Sequence, residues 1–142
     1  MGQLVIKRVI NAPTSRVWKA LTDKNELKNW LPFFADFEPV VGRELSFKLG
    51  RDEEHQYQHI SKVIEIVDGK KLVYGWRYAD YPGDSHVTFE LFAKGTKTSL
   101  VLTHDIIEPF PADNPDFAAD GFKEGWNYTA DGLKNYVEKN KE

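Results

Sequence analysis

Four segments between Glu44 and Ile106 carry mostly apolar side chains at every second position, and one long amphipathic segment follows them. A period of two places alternate residues on one face of a strand. Leu45, Phe47 and Leu49 form one such set. Leu72, Tyr74, Trp76 and Tyr78 form another, as do Val87, Phe89 and Leu91, and then Leu100, Leu102, His104 and Ile106. Each strand has one apolar and one mostly polar face, which suits an antiparallel sheet covered on one side. Asp68-Gly69, Tyr81-Pro82-Gly83-Asp84 and Lys94-Gly95-Thr96 supply the turns. The strand over Gln56 to Val67 leaves its inward face open. Tyr57, His59, Ser61 and Val63 share one side, and Ile60, Ile64 and Ile66 share the other.

A strand over Gln3 to Ile10 precedes this block. Asn11-Ala12-Pro13-Thr14 breaks it, and SRVWKALTDKNELKNWL then has helical spacing interrupted at Thr22-Asp23. We read two short helices, with Asp23 capping the second. After the sheet comes a proline-rich connection, IIEPFPADNPD. Asn114 as cap and Pro115 at the first position predict a long helix running to about Val137. The order predicts an α+β fold, a single domain over residues 2–140 with the long helix available to cover the sheet.

The chain has 142 residues and no cysteine, so thiol catalysis, thiolate metal sites and disulfides are excluded. Its formal net charge is −3 and no dense Lys/Arg run appears, which argues against nucleic-acid partners. MGQLVIKRVI is too short and too charged for a signal peptide, and no apolar run is long enough to span a bilayer. The expectation is a cytoplasmic protein without membrane insertion.

The long helix carries Gly121, Gly125 and Gly132 within an arc of about 40° on its apolar side, toward one edge. Each glycine costs roughly 1 kcal/mol against alanine in a helix interior. Two readings compete. The glycines permit close packing on bulky sheet residues, or the missing side chains leave a cavity between helix and sheet.

Four segments then carry a resemblance. NAPTSRVWKALTDKNELKNWL resembles the opening of the START-like (SRPBCC) helix-grip superfamily, and more closely the branch named after the activator of the heat-shock protein 90 ATPase. EIVDGKKLVYGW, KTSLVLTHDII and GWNYTADGLKNYV match that branch in the same order. The chain departs from it at Asp68-Gly69, where many relatives have Pro-Pro. The resemblance implies a birch-allergen-like fold, a curved antiparallel sheet wrapped around the C-terminal helix with a cavity between them. Relatives of this kind hold lipids and hydrophobic ligands or act as polyketide cyclase/aromatases. The branch's eponym is a two-domain co-chaperone, and this chain resembles only its C-terminal half.

Candidate ligand-binding residues follow from the inward faces and the glycine gap: Trp30, Phe33, Phe47, Tyr57, His59, Trp76, Tyr78, Phe89, His104, Gly121, Gly125 and Tyr128. Aromatic faces supply contact area, and His104 or a Tyr hydroxyl supplies orientation. For His104, a buried ring satisfied by a hydrogen bond outweighs catalysis. His55 and His59 are spaced i,i+4, but in a strand they lie roughly 13 Å apart, too far for one metal ion. No phosphate-cradling loop or nucleophile elbow appears. No catalytic residue, metal or cofactor is assigned. Residues 106–117 are either a lid, a plain connection or a dimer contact.

Three functions are ranked. The first is binding of a small hydrophobic or aromatic molecule by a monomer or weak homodimer. The second is a cyclase/aromatase-like enzyme with His104 or His59 moving a proton. The third is a chaperone-interacting module.

Overall fold

The computed structural model describes residues 2–140. Strand β1 (Gln3–Ile10) leads into helices α1 (Thr14–Thr22) and α2 (Lys24–Trp30) and a 3-10 turn at Pro32–Phe34. Five strands follow: β2 (Glu44–Gly50), β3 (Gln56–Val67), β4 (Lys71–Tyr78), β5 (Asp84–Lys94) and β6 (Lys97–Glu108). A second 3-10 turn at Pro115–Phe117 precedes helix α3 (Ala119–Lys139). Among the described residues the strands form one antiparallel sheet in the order β1-β6-β5-β4-β3-β2. The fold is α+β, with α3 gripped against the covered face of a curved sheet, as the alternating pattern predicts.

The Asp23 carboxylate accepts a hydrogen bond from the Asn25 amide and so caps α2 as expected. The expectation for the long helix needs a correction. Asn114 caps only the short 3-10 turn, by accepting from the Asp116 amide. Ala118 is then extended (φ −80°, ψ 159°), and α3 starts afresh at Ala119 without a side-chain cap.

The ambiguous strand β3 is resolved by a bulge. Val63 pairs with Tyr74 and Glu65 with Val73, so Ile64 is an extra residue. Tyr57, His59, Ser61 and Val63 face inward before the bulge, and Ile66 packs on the core after it. One inserted residue reverses the alternation, which is why both faces carry apolar residues in the sequence.

Helix α3 presents Trp126, Ala130, Leu133 and Val137 to the core, a spacing of four, three and four. Burying each of the larger side chains contributes about 1.5–3 kcal/mol. Its flank toward β1 is polar and tied down. Arg8 donates to Asp131 and to Asn127, both at 2.7 Å, and the Lys134 ammonium donates to the Val9 carbonyl at 2.6 Å. Its C-terminal end is held by Arg16 of α1, which pairs with Glu26 at 2.7 Å and donates to the Asn140 carbonyl. The opposite flank carries the three glycines.

Candidate functional site

Residues 109–118 cross from β6 to α3 as a strap, and proline at positions 109, 111 and 115 restricts its backbone. Three anchors hold it. Phe110 lies on the β4–β5 turn at Gly83, where φ is +115° and a Cβ would overlap the phenyl ring. Only glycine combines that dihedral with that approach. Phe117 is enclosed by aromatic rings: it stacks on Tyr78 at 4.4 Å and meets Tyr57 at 4.9 Å and Tyr81 at 5.0 Å. Asp116 supplies a polar latch. Its carboxylate accepts from the Tyr57 hydroxyl at 2.5 Å and from Arg51 Nε at 2.6 Å, joining the strap to the β2–β3 hairpin. Asn114 Nδ2 donates to the same Tyr57 oxygen. These bonds favour the ionised carboxylate: chiefly the Tyr57 hydrogen bond, then Arg51, hold Asp116 below the ordinary carboxylate range.

Beneath the strap is a cavity of about 330 Å³, lined by Ile106, Phe110, Asn114, Phe117, Ala119 and Phe122 among others. Its walls are aliphatic and aromatic, and Asn114 is the one polar side chain among those that line it. The volume falls at the lower end of the range that holds small organic ligands.

The walls continue into rows of rings on the inner face of the sheet. Phe47, His59 and Tyr78 are direct register partners across β2, β3 and β4. His59 is 5% exposed. Its ring stacks on Phe47 at 5.0 Å and meets the rings of Trp76 and Tyr78 at 5.0 and 4.7 Å. Nδ1 lies 2.8 Å from the Tyr57 carbonyl, and a carbonyl only accepts, so Nδ1 carries the proton. His104 Nε2 lies 2.8 Å from Ser85 Oγ, whose own proton goes to the Trp76 carbonyl at 2.6 Å. His104 therefore donates from Nε2, and the chain His104–Ser85–Trp76 ties β6, β5 and β4 together. Burial lowers both histidines to about 4, so both are neutral at pH 7.

The residues expected from the sequence to form the site are dispersed. None of the twelve lines the strap cavity. Tyr78 reaches the cavity wall through its stack on Phe117, and its hydroxyl is pushed up to about 12 by burial. His104 reaches the cavity wall through Phe122, at 4.7 Å. Tyr57 serves as the hub of the latch. Trp76 lies under Trp126 at 4.7 Å, and Phe33 packs on Phe47 at 5.1 Å. Trp30 is half-buried, donates from its indole nitrogen to the Ala20 carbonyl and lies beside Gly132. Phe89 is 1% exposed and packs against Tyr74 within the sheet. Tyr128 is 81% exposed on the glycine flank of α3. Gly121 and Gly125 are exposed, and nothing lies within 4 Å of where a Gly125 Cβ would stand. The close-packing reading of the glycines has no support at Gly125. His55 precedes β3 and pairs with Asp52 at 2.7 Å. Among the described residues no three His, Asp or Glu side chains converge as a metal ion requires.

Arg51, Asp116, Ala119 and Phe122 were not singled out from the sequence. Asp116, Ala119 and Phe122 lie in or beside the proline-rich connection, in which Ile106, Phe110 and Phe117 do stand out as apolar, whereas Arg51 belongs to the distant polar turn before β3.

The geometry can be set against known proteins. Residues 11–138 match the sequence profile of the family described as Activator of Hsp90 ATPase homolog 1-like protein. The chain belongs to this family. No curated protein matches it. Among solved structures it is similar to protein CV1439 from Chromobacterium violaceum, with a TM-score of 0.77 at 23% identity over 96% of both chains. Mll3558 from Rhizobium loti superposes with a TM-score of 0.79 at 22% identity, over 95% of this chain and 96% of that one. DynU16, a protein in the dynemicin biosynthetic locus, gives 0.75 at 18% identity, covering 98% of this chain and 48% of its own. At these identities the superpositions establish the helix-grip fold and leave the ligand open. No helix among the described residues is long and apolar enough to cross a membrane.

Proposed function

We propose that this family member binds a small apolar or aromatic molecule between its sheet and the N-terminal end of α3, beneath the 109–118 strap. The supporting observation is the cavity of about 330 Å³ whose walls include Phe110, Phe117 and Phe122. Ring faces there give a planar ligand dispersion contact and removal from water, at about 25 cal/mol per Å² of apolar surface buried. Asn114 is placed to orient one polar group. The membership of DynU16 in a biosynthetic locus favours a small-molecule ligand over a protein partner.

The site proposed here lies at one end of the helix–sheet interface considered from the sequence. The centre of the helix–sheet interface is filled by Trp126, Ala130, Leu133 and Val137, all buried. Space remains at the end where α3 begins, beneath the strap that runs on from the end of β6.

Displacement of a naphthalene-sulfonate dye by neutral aromatic compounds tests the reading. Ile106→Trp and Ala119→Trp each project an indole into the cavity from a position that is not fully buried. Both variants should fold and lose dye binding at least tenfold. Unchanged dye affinity in both would remove the strap cavity as the binding site.

A further inference from the structure

We propose that the chain carries a second, separate site, a recess at the start of β2 that binds a small protonated primary amine. Ser61 Oγ accepts one of the three N–H bonds, and Asp36 and Glu38 supply the negative charge. The recess has a volume of about 60 Å³ and is lined by Asp36, Phe37, Glu38, Arg43, Ser61 and Val63 among others. The strap is latched to Arg51, just beyond the other end of β2. The seven residues of that strand span roughly 20 Å, so this site and the strap cavity are independent of each other.

Ser61 is 3% exposed, and its hydroxyl has no hydrogen-bond partner among the described residues. The other buried serine and threonine both donate to main-chain carbonyls, Ser85 to Trp76 at 2.6 Å and Thr98 to Ala12 at 2.7 Å. The main chain beside Ser61 needs no help from its side chain. The Val63 amide donates to the Arg43 carbonyl, and the Val63 carbonyl accepts from the Gly42 amide, both at 2.9 Å. An alanine would fill the same position without burying an unpaired polar group, which costs stability. The hydroxyl thus completes no bond within the fold, and its residue lines the recess.

The surroundings select the occupant. Asp36 lines the same recess and has no hydrogen-bond or ion-pair partner among the described residues. Glu38 is paired only with Arg43, at 3.9 Å, and the two side chains are 43% and 63% exposed, so that pair is loosely held. Glu44 also lines the recess and is the register partner of Lys62. Carboxylates that outnumber one loosely held guanidinium favour a cation. Among the described residues no three His, Asp or Glu side chains converge as a metal ion requires. A primary ammonium suits the set, because it is a compact charge with three donors and no acceptor. Phe37 and Val63 offer apolar contact to the carbon that carries it.

The probe is methylammonium, titrated at constant ionic strength and near-neutral pH into nitrogen-15 labelled protein. Tetramethylammonium, which has the same charge and no N–H donor, is the comparison. Methylammonium should shift the amide resonances of Asp36, Ser61 and Val63 saturably, and tetramethylammonium should leave them in place. Ser61→Ala and Asp36→Asn should each weaken methylammonium binding about tenfold, and Arg43→Gln should tighten it. Without amine, Ser61→Ala should melt above the parent, because the unpaired hydroxyl is gone, and it should lose the rise in Tm that methylammonium gives the parent. Equal shifts with both cations, no shift with either, or undiminished binding in a folded Ser61→Ala would each overturn the site. A Ser61→Ala protein that melts below the parent, with a parent indifferent to methylammonium, would mean that ordered water alone serves the hydroxyl, and it too overturns the site. A lysine side chain presented as Nα-acetyl-lysine methylamide should bind no tighter than methylammonium, and tighter binding would overturn the assignment to small molecules in favour of protein amines.

Discussion

Gly125→Ala is the sharpest test of what the glycine flank is for. Gly125 lies inside a 21-residue helix, is exposed, and has ordinary helical backbone, since the positive φ values fall on glycines 42, 69, 83 and 95. A Cβ built there meets nothing within 4 Å. Alanine therefore gains the full difference in helix propensity, about 1 kcal/mol, with no steric term to offset it. For a chain of this length that is a rise in Tm of roughly 3–5 °C. Gly132→Ala should behave similarly, because its Cβ would rest at 3.7 Å from the Trp30 ring, an ordinary contact. Thermal melts and urea unfolding read the effect directly. Gly83→Ala is the control: its positive φ and its contact with Phe110 make alanine destabilising. A Gly125→Ala protein that melts at or below the parent temperature would refute the open-flank geometry and restore close packing as the explanation. If Gly125→Ala stabilises and Gly125→Leu lowers ligand affinity, the flank is part of the binding site, and its glycines are kept at the expense of stability.

Other consequences can be checked with the same assays. Ser85→Ala should lower stability by about 2–3 kcal/mol in urea unfolding, because the His104 Nε2 proton and the Trp76 carbonyl both lose their buried partner. His59 and His104 are held neutral down to about 4, whereas an unfolded histidine protonates near 6.5. The unfolded state thus binds more protons between these values. Stability should fall as pH drops from about 6.5 to 4, by up to roughly 1.4 kcal/mol per pH unit for each histidine. Replacing either with a ring that does not titrate should flatten the profile. Asp116 is held below the ordinary carboxylate value of 3.8, chiefly by the Tyr57 hydroxyl. Its contribution is present above that value and is lost as pH falls through the lower folded value, so Asp116→Asn should lose less stability than the parent in that acid range. The same variant loosens the strap, and stopped-flow ligand binding should show association and dissociation both accelerated with little change in Kd. Acceleration of dissociation alone would mean that Asp116 supports the bound state and not the passage to it.

Much of the fold was legible because each strand repeats the same physical instruction, one apolar face turned toward one helix. The exceptions are where a local signal has two structural solutions. Asn114-Pro115 is a genuine start signal, but it is satisfied by a single 3-10 turn once Ala118 becomes extended. The alternation in β3 reverses because Ile64 bulges out of register, and nothing in the residue types of Val63-Ile64-Glu65 distinguishes a bulge from regular pairing. The first departure fixes where α3 starts, and Ala118, Ala119 and Phe122 at that start line the cavity.

The binding site was less legible for a related reason. Inward-facing aromatic residues are the same whether they fill a core or line a space. Phe89 and Phe117 are both buried rings, yet only Phe117 has the cavity on one side, because it sits on the strap instead of in the sheet. What separates them is the latch. Arg51 and Tyr57 lie about 60 residues from Asp116 in the chain, and Arg51 and Asp116 each alone read as ordinary surface residues. Held together, they tie the strap to the β2–β3 hairpin. Tyr57 is half-buried and gives its proton to a carboxylate, a stronger bond than a neutral pair would make. Tyr57→Phe should therefore keep the ring contacts with Phe117 and Tyr78 and loosen only the tie to Asp116. Amide exchange can read this: protection should drop across residues 115–118 and remain unchanged in β3 and β4. A loss spread through the sheet would assign Tyr57 to the core, and the space beneath the strap would then owe nothing to the latch.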